Sequence, residues 1–112
     1  MALFSNPGNP TGITKRGNDL KDFVERASQP KCGALIDEAY EMFYDKPVSS
    51  LEYIKDINKT NIFVTGACTK GLQAPGIRIG WCIASKQNIE ILGNFATIQT
   101  GGVSHLSQLY AI

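Results

Sequence analysis

Two short apolar runs, CGALID over residues 32–37 and NIFVTG over 61–66, constrain this chain more than any other feature. Both are too short for a buried helix and are bounded by turn-forming residues, so both read as strands. The first, continuous in its apolar character, is expected to be buried on both faces, with Asp37 closing it where a strand's carboxyl end reaches a site. Ala2–Ser5 reads as the end of another strand whose beginning is expected upstream. It is cut off by the turn cluster NPGNPTG. A fourth strand is expected over IRIGWCIA, residues 77–84.

Helical signals fall between these runs. Thr14 is placed as an N-cap, and Leu20, Phe23, Val24 and Ala27 recur at helical spacing until Pro30, which predicts a helix over 15–28. EAYEMFYD reads as a loop with a short helix, and Ser50–Ile54 as another brief helix. Ser85 is the expected N-cap of an amphipathic helix carrying Ile89, Leu92 and Phe95. Residues 103–112 read as the opening turns of one more. Strands alternating with helical segments define an α/β fold with a mostly parallel sheet and crossover helices. No repeat, low-complexity tract or linker divides residues 1–112, which are read as a single unit.

The formal charge is +1 over 112 residues, with no run of Lys or Arg, so neither nucleic acid nor an anionic membrane is an expected partner. No apolar stretch approaches the roughly 20 residues needed to span a bilayer, and the amino end does not resemble a signal peptide. A soluble cytoplasmic protein is expected. Cys32, Cys68 and Cys82 are read as reduced, buried fillers. Cys68, near Lys70, has nothing spaced like a catalytic base beside it. His105 reads as a surface or capping residue, and no set of His, Cys and carboxylates has metal-ligand spacing.

ACTKGLQAPGIRIGW, residues 67–81, places Lys70 and Arg78 on either side of a Gly- and Pro-containing turn just past a buried strand. A lysine there can act as an amine nucleophile if its surroundings lower its pKa. Arg78 can supply a neighbouring cation or clamp a phosphate through its planar fork. As an isolated pair they read equally as solvated surface groups. Asp37 ends an apolar strand and needs a cation or donor, or else serves as a local cap. Tyr40 offers a phenol to the same end of the sheet, or packs with Phe43 and Tyr44. Glu38 is read as a surface residue without a role. Two Asn-Pro pairs within residues 6–10 fix the backbone in a way that suits an amide, Asn9, held against a ligand.

In this order and spacing, NPGNPTG, DEAY and TKGLQAPGIRIGW resemble the large domain of the fold-type I, pyridoxal-phosphate-dependent aminotransferases of class I, the aspartate aminotransferase family. The resemblance covers essentially the whole chain and only the middle of such an enzyme. It implies pyridoxal 5'-phosphate held as a Schiff base on Lys70, with Asp37 against the pyridine nitrogen. Asn9 and Tyr40 would bond the ring's phenolic oxygen, Arg78 would hold the phosphate, and Thr69 stands beside the lysine. It also implies a cis peptide at Asn9-Pro10, amino acid and 2-oxo acid substrates, and a homodimer in the full-length protein.

The match has one local gap: Ala67 stands where the family usually has a phosphate-binding serine, a loss on the order of 1 kcal/mol. The upstream phosphate loop, the aromatic that stacks on the cofactor and the downstream carboxylate-binding arginine cannot be placed on this chain. Little or no activity is therefore expected of these 112 residues alone. A pyridoxal-phosphate lyase or synthase on the same scaffold and a non-catalytic α/β fragment are the alternatives. A phosphate-loop nucleotide binder is set aside, because GACTKG lacks the G-x-x-x-x-G-K-[ST] order.

Overall fold

The computed structural model describes residues 1–112. Four strands form one sheet in the order β1 (Ala2–Ser5), β2 (Ala34–Asp37), β3 (Ile62–Ala67) and β4 (Gly80–Ile83). The first three run parallel and β4 runs antiparallel to β3. The helices are α1 (Gly17–Ala27), the single turn α2 (Cys68–Gly71), α3 (Lys86–Gln99) and α4 (His105–Ala111). The mostly parallel α/β sheet is thus the one expected. Its second crossover, from β2 to β3, is built from three short 3₁₀ turns, Glu41–Phe43, Ser50–Tyr53 and Ile57–Lys59, in place of a regular helix.

The core lies on one face of the sheet. Leu20, Val24 and Ala27 descend from α1 onto Ala34 and Ile36 of β2 and Ile62 and Val64 of β3, and Leu51 and Tyr53 close over them from the 3₁₀ segment. Both crossovers pack on this same side, which contradicts the expectation that β2 is buried on both faces. The opposite row, Leu3, Leu35 and Phe63 in register, is only half covered, and Leu3 is 74% exposed.

Other expectations are corrected by specific contacts. Thr14 does not cap α1: its hydroxyl bonds the Tyr44 phenol at 2.7 Å, and the helix begins three residues later after Arg16, without a side-chain cap. Cys32 is exposed ahead of β2 and Cys82 is half-buried, so only Cys68 is a buried filler. Burial raises the Cys82 thiol pKa. Ser85 does cap α3, accepting from the Asn88 amide. That helix buries no residue, however: Phe95 is 59% exposed and Ile98 86%. With α4 it leaves a broad apolar surface, and the total accessible area of 7763 Å² exceeds the roughly 6,100 Å² typical of a folded monomer of this mass. No helix is long and apolar enough to cross a membrane.

Candidate cofactor site at the carboxyl edge of the sheet

The parallel register fixes where the polar residues meet. Ser5, Asp37 and Thr65 are aligned as the last residues of the parallel register across β1, β2 and β3, so the loops that follow all leave from one edge, where open α/β sheets gather their ligands. Because β4 is antiparallel, with Gly80 opposite Ala67, the residues just before it also reach this edge. Asn9, Asp37, Tyr40, Lys70 and Arg78 therefore come to one side of the molecule from four different segments.

The loop after β1 is held by its own amides. The Asn6 side chain is fully buried and bridges Lys15, donating to its carbonyl at 3.1 Å and accepting from its amide at 2.8 Å. Gly8 N–H donates to the Ile13 carbonyl and Gly12 N–H to the Gly8 carbonyl. Ser5 Oγ accepts from the Asn9 amide at 3.0 Å. Both Asn6-Pro7 and Asn9-Pro10 are cis, the second as the resemblance implied. This loop forms one wall of a cleft of about 260 Å³, and Tyr40, Phe43 and Tyr44 form the other. Asn9 and Tyr40 thus line one cavity. A larger depression of about 510 Å³ lies at the amino ends of the strands, bounded by Glu25, Tyr53 and Lys59. Its walls are mainly solvated side chains, and none of the residues above reaches it.

Tyr40 also meets the lysine. Lys70 Nζ stands 5.5 Å from the centroid of its ring, close enough for a cation–π contact. The approach depends on Gly71: a Cβ there would lie 2.6 Å from Met42 Sδ and 2.7 Å from Met42 Cβ, forcing α2 away from the Tyr40 turn. Lys70 forms no ion pair, so its amine is not tied up by a carboxylate. Thr69 is half-buried beside it, and Ala67 at the start of α2 offers no side-chain cap.

Asp37 is half-buried and accepts from the Ala39 amide at 3.0 Å through Oδ1, while Oδ2 has no protein partner. The structure places Arg78 less closely. It is exposed, in the left-handed backbone region at φ 55°, with Nη1 donating to the Pro75 carbonyl at 3.0 Å. That conformation costs a non-glycine residue about 1–2 kcal/mol. It turns the chain from the Pro75–Ile77 3₁₀ turn into β4.

Sequence reading missed Glu38. Far from lying on the surface, it is 2% exposed, and its carboxylate accepts three hydrogen bonds from Ser49 and Ser50. Its charge and, more strongly, burial raise the pKa of the neighbouring Glu41 above its ordinary 4.5. As pH climbs past 4.5, the unfolded chain loses this proton first, so the fold is progressively destabilised up to the raised native value and stays so above it. Glu41→Gln is expected to be more stable than the parent at pH 7, by less than about 1 kcal/mol because the group is partly solvated. Its urea midpoint should fall less between pH 4.5 and 7 than the parent's. Equal pH dependence in the two would contradict this account.

A lysine amine, a carboxylate, a phenol and an amide thus leave the sheet at one edge, the edge at which open α/β sheets gather ligands. Comparison with known proteins identifies the group. The chain belongs to the class I and II aminotransferase family, whose model matches residues 1–112. This family depends on pyridoxal phosphate in general. The histidinol-phosphate aminotransferase of Clostridium novyi is 33% identical over 85 residues, covering 76% of this chain and 22% of that protein. The enzyme of the same name from Buchnera aphidicola is 36% identical over 92 residues, covering 82% of this chain and 24% of that protein. Among solved structures, a PLP-dependent aminotransferase from Streptococcus suis superposes with a TM-score of 0.80 at 29% identity, over 97% of this chain and 28% of that one. The chain therefore spans about a quarter of the length of the proteins it matches.

Proposed function

We propose that this chain is the lysine-bearing part of an enzyme that moves an amino group between an amino acid and a 2-oxo acid, with pyridoxal 5'-phosphate bound at the carboxyl edge of the sheet. The observation that carries the reading is the placement of Lys70 against Tyr40 while Asn9 and Tyr40 share a cleft. The donor set fits the group: an amine for its aldehyde, a carboxylate with one free oxygen for its ring nitrogen, a phenol and an amide for its ring oxygen, and a guanidinium for its phosphate.

Each residue then has a role its chemistry allows. Lys70 would bind the cofactor aldehyde through its amine and, as a free amine, would accept and return the proton of the substrate α-carbon. Asp37 keeps a proton on the ring nitrogen through Oδ2, since a fixed negative charge there favours the cationic form. Tyr40 and Asn9, which line one cleft, would bond the ring oxygen and orient the ring. Arg78 neutralises the phosphate, assisted by Thr69. The bound cofactor supplies the electron sink that makes the α-proton acidic.

In the full-length protein, incubation with an amino acid and a 2-oxo acid should yield the exchanged pair. Histidinol phosphate, from the names of the relatives, is the first donor to try. Release of ammonia or a thiol in place of amino transfer would assign a lyase on the same scaffold and reject the transferase. A cytoplasmic homodimer belongs to the same reading, supported by three free thiols, as in a reducing compartment, and by the uncovered apolar faces of α3 and α4.

A further inference from the structure

Directly beneath the site lies a buried charge that the proposed chemistry does not use. Ser49 Oγ donates to Glu38 Oε2 at 2.7 Å, and both the amide and the hydroxyl of Ser50 donate to Oε1 at 2.7 Å. The main chain of Glu38 is fixed too, its N–H donating to the Thr65 carbonyl at 2.8 Å and its carbonyl accepting from Glu41 N–H at 2.9 Å. No cation is within ion-pair distance of it. A carboxylate withdrawn from water without a counter-ion is costly, and these three short donors are what offsets the cost.

The position of the anchor gives it a consequence. Glu38 lies between Asp37, which closes β2, and Tyr40, which lines the cleft, whereas Ser49 and Ser50 belong to the far end of the loop and open the 3₁₀ turn that packs into the core. We infer that Glu38 is a positioning residue of the cofactor site, its carboxylate tying the Asp37–Tyr40 turn to the Ser49–Ser50 segment so that the Asp37 carboxylate and Tyr40 phenol are held at fixed places against the ligand. The inference rests on the pyridoxal phosphate reading above.

The hydrogen-bond pattern separates anchoring from charge. Glutamine keeps an oxygen for the two Ser50 donors, and its amide can face Ser49, whose hydroxyl can rotate to accept. Alanine removes all three carboxylate bonds and keeps those of the main chain. Ser50→Ala removes one donor and keeps the Ser50 amide.

The test uses full-length protein titrated with pyridoxal phosphate, reading the cofactor Kd and the pH midpoint of the absorption band of the borohydride-trappable Lys70 adduct. Glu38→Ala should weaken binding roughly tenfold to a hundredfold, the scale of a misplaced catalytic geometry, and should shift the pH midpoint, because that midpoint senses where Asp37 and Tyr40 stand. Glu38→Gln should restore both towards the parent values, and Ser50→Ala should fall between. A folded Glu38→Ala with parental Kd and midpoint overturns the inference. So does a Glu38→Gln as impaired as Glu38→Ala, which would assign the effect to charge. If Glu38→Ala fails to fold, Ser50→Ala decides: parental values in it overturn the anchor, and a shifted midpoint supports it. A parent protein that forms no Lys70 adduct rejects the cofactor reading itself, and this inference with it.

Discussion

Lys70→Ala is expected to abolish the covalent cofactor adduct and to lower the rate of amino transfer at least roughly a thousandfold, since it removes both the nucleophile and the proton carrier. Lys70 is the lysine that follows β3 directly and the one set against the Tyr40 ring. Borohydride reduction followed by peptide mapping of the full-length protein should find the label on Lys70 in the parent and nowhere in the variant. Lys70→Arg is the informative companion. It keeps a cation over Tyr40 but offers no nucleophile at neutral pH, so it should bind cofactor without the adduct band. Label on another lysine, or a Lys70→Ala enzyme with parental turnover, would remove Lys70 from the mechanism.

Ile36→Ala should be the most damaging change to the fold. Ile36 is fully buried at the centre of β2, in register with Phe4 on one side and Val64 on the other. Truncating such a residue costs about 2–5 kcal/mol in transfer and cavity terms. The buried apolar cluster has only seven members, so that loss is a large share of the stability available. A fall in Tm of at least about 10 °C is expected from the usual conversion for a domain of this size, read by the far-ultraviolet circular dichroism melt. A shift of only a degree or two would mean that the sheet draws its stability from elsewhere.

Features governed by near neighbours in sequence were legible without coordinates. The four strands, the helix over Leu20 to Ala27 and the Ser85 cap each follow from local patterning, and the structure places them within a few residues of expectation. What was not legible depends on partners far along the chain. Thr14 carries a capping side chain, but Tyr44 takes its hydroxyl. Glu38 reads as a solvated acid until Ser49 and Ser50 fold onto it. The fourth strand starts at Gly80 and not at Ile77 because the chain first makes a 3₁₀ turn and then passes through a left-handed arginine. Burial on both faces of β2 could not be judged from its composition either, because composition does not reveal that both crossovers settle on one side.

For the candidate site, sequence supplied the residue types and their order, and the parallel register supplied the reason that Asn9, Asp37, Tyr40 and Lys70 share an edge. The resemblance went further than spacing alone and assigned each a role. It could not indicate what holds the turn between Asp37 and Tyr40, since that support is a hydrogen-bond arrangement and not a motif.

The reversed direction of the last strand has a consequence for how such a chain can change. Had β4 run with its neighbours, its entry would lie at the opposite end of the sheet, and the segment leading to it could lengthen or shorten over the surface with little effect. Running against them, it makes residues 68–79 a short tether with both ends fixed by the Ala67–Gly80 pair. A residue added or deleted there changes the path between two fixed ends, and with it the placement of the guanidinium relative to the amine. Side-chain substitution, more than variation in length, is the freedom this stretch retains.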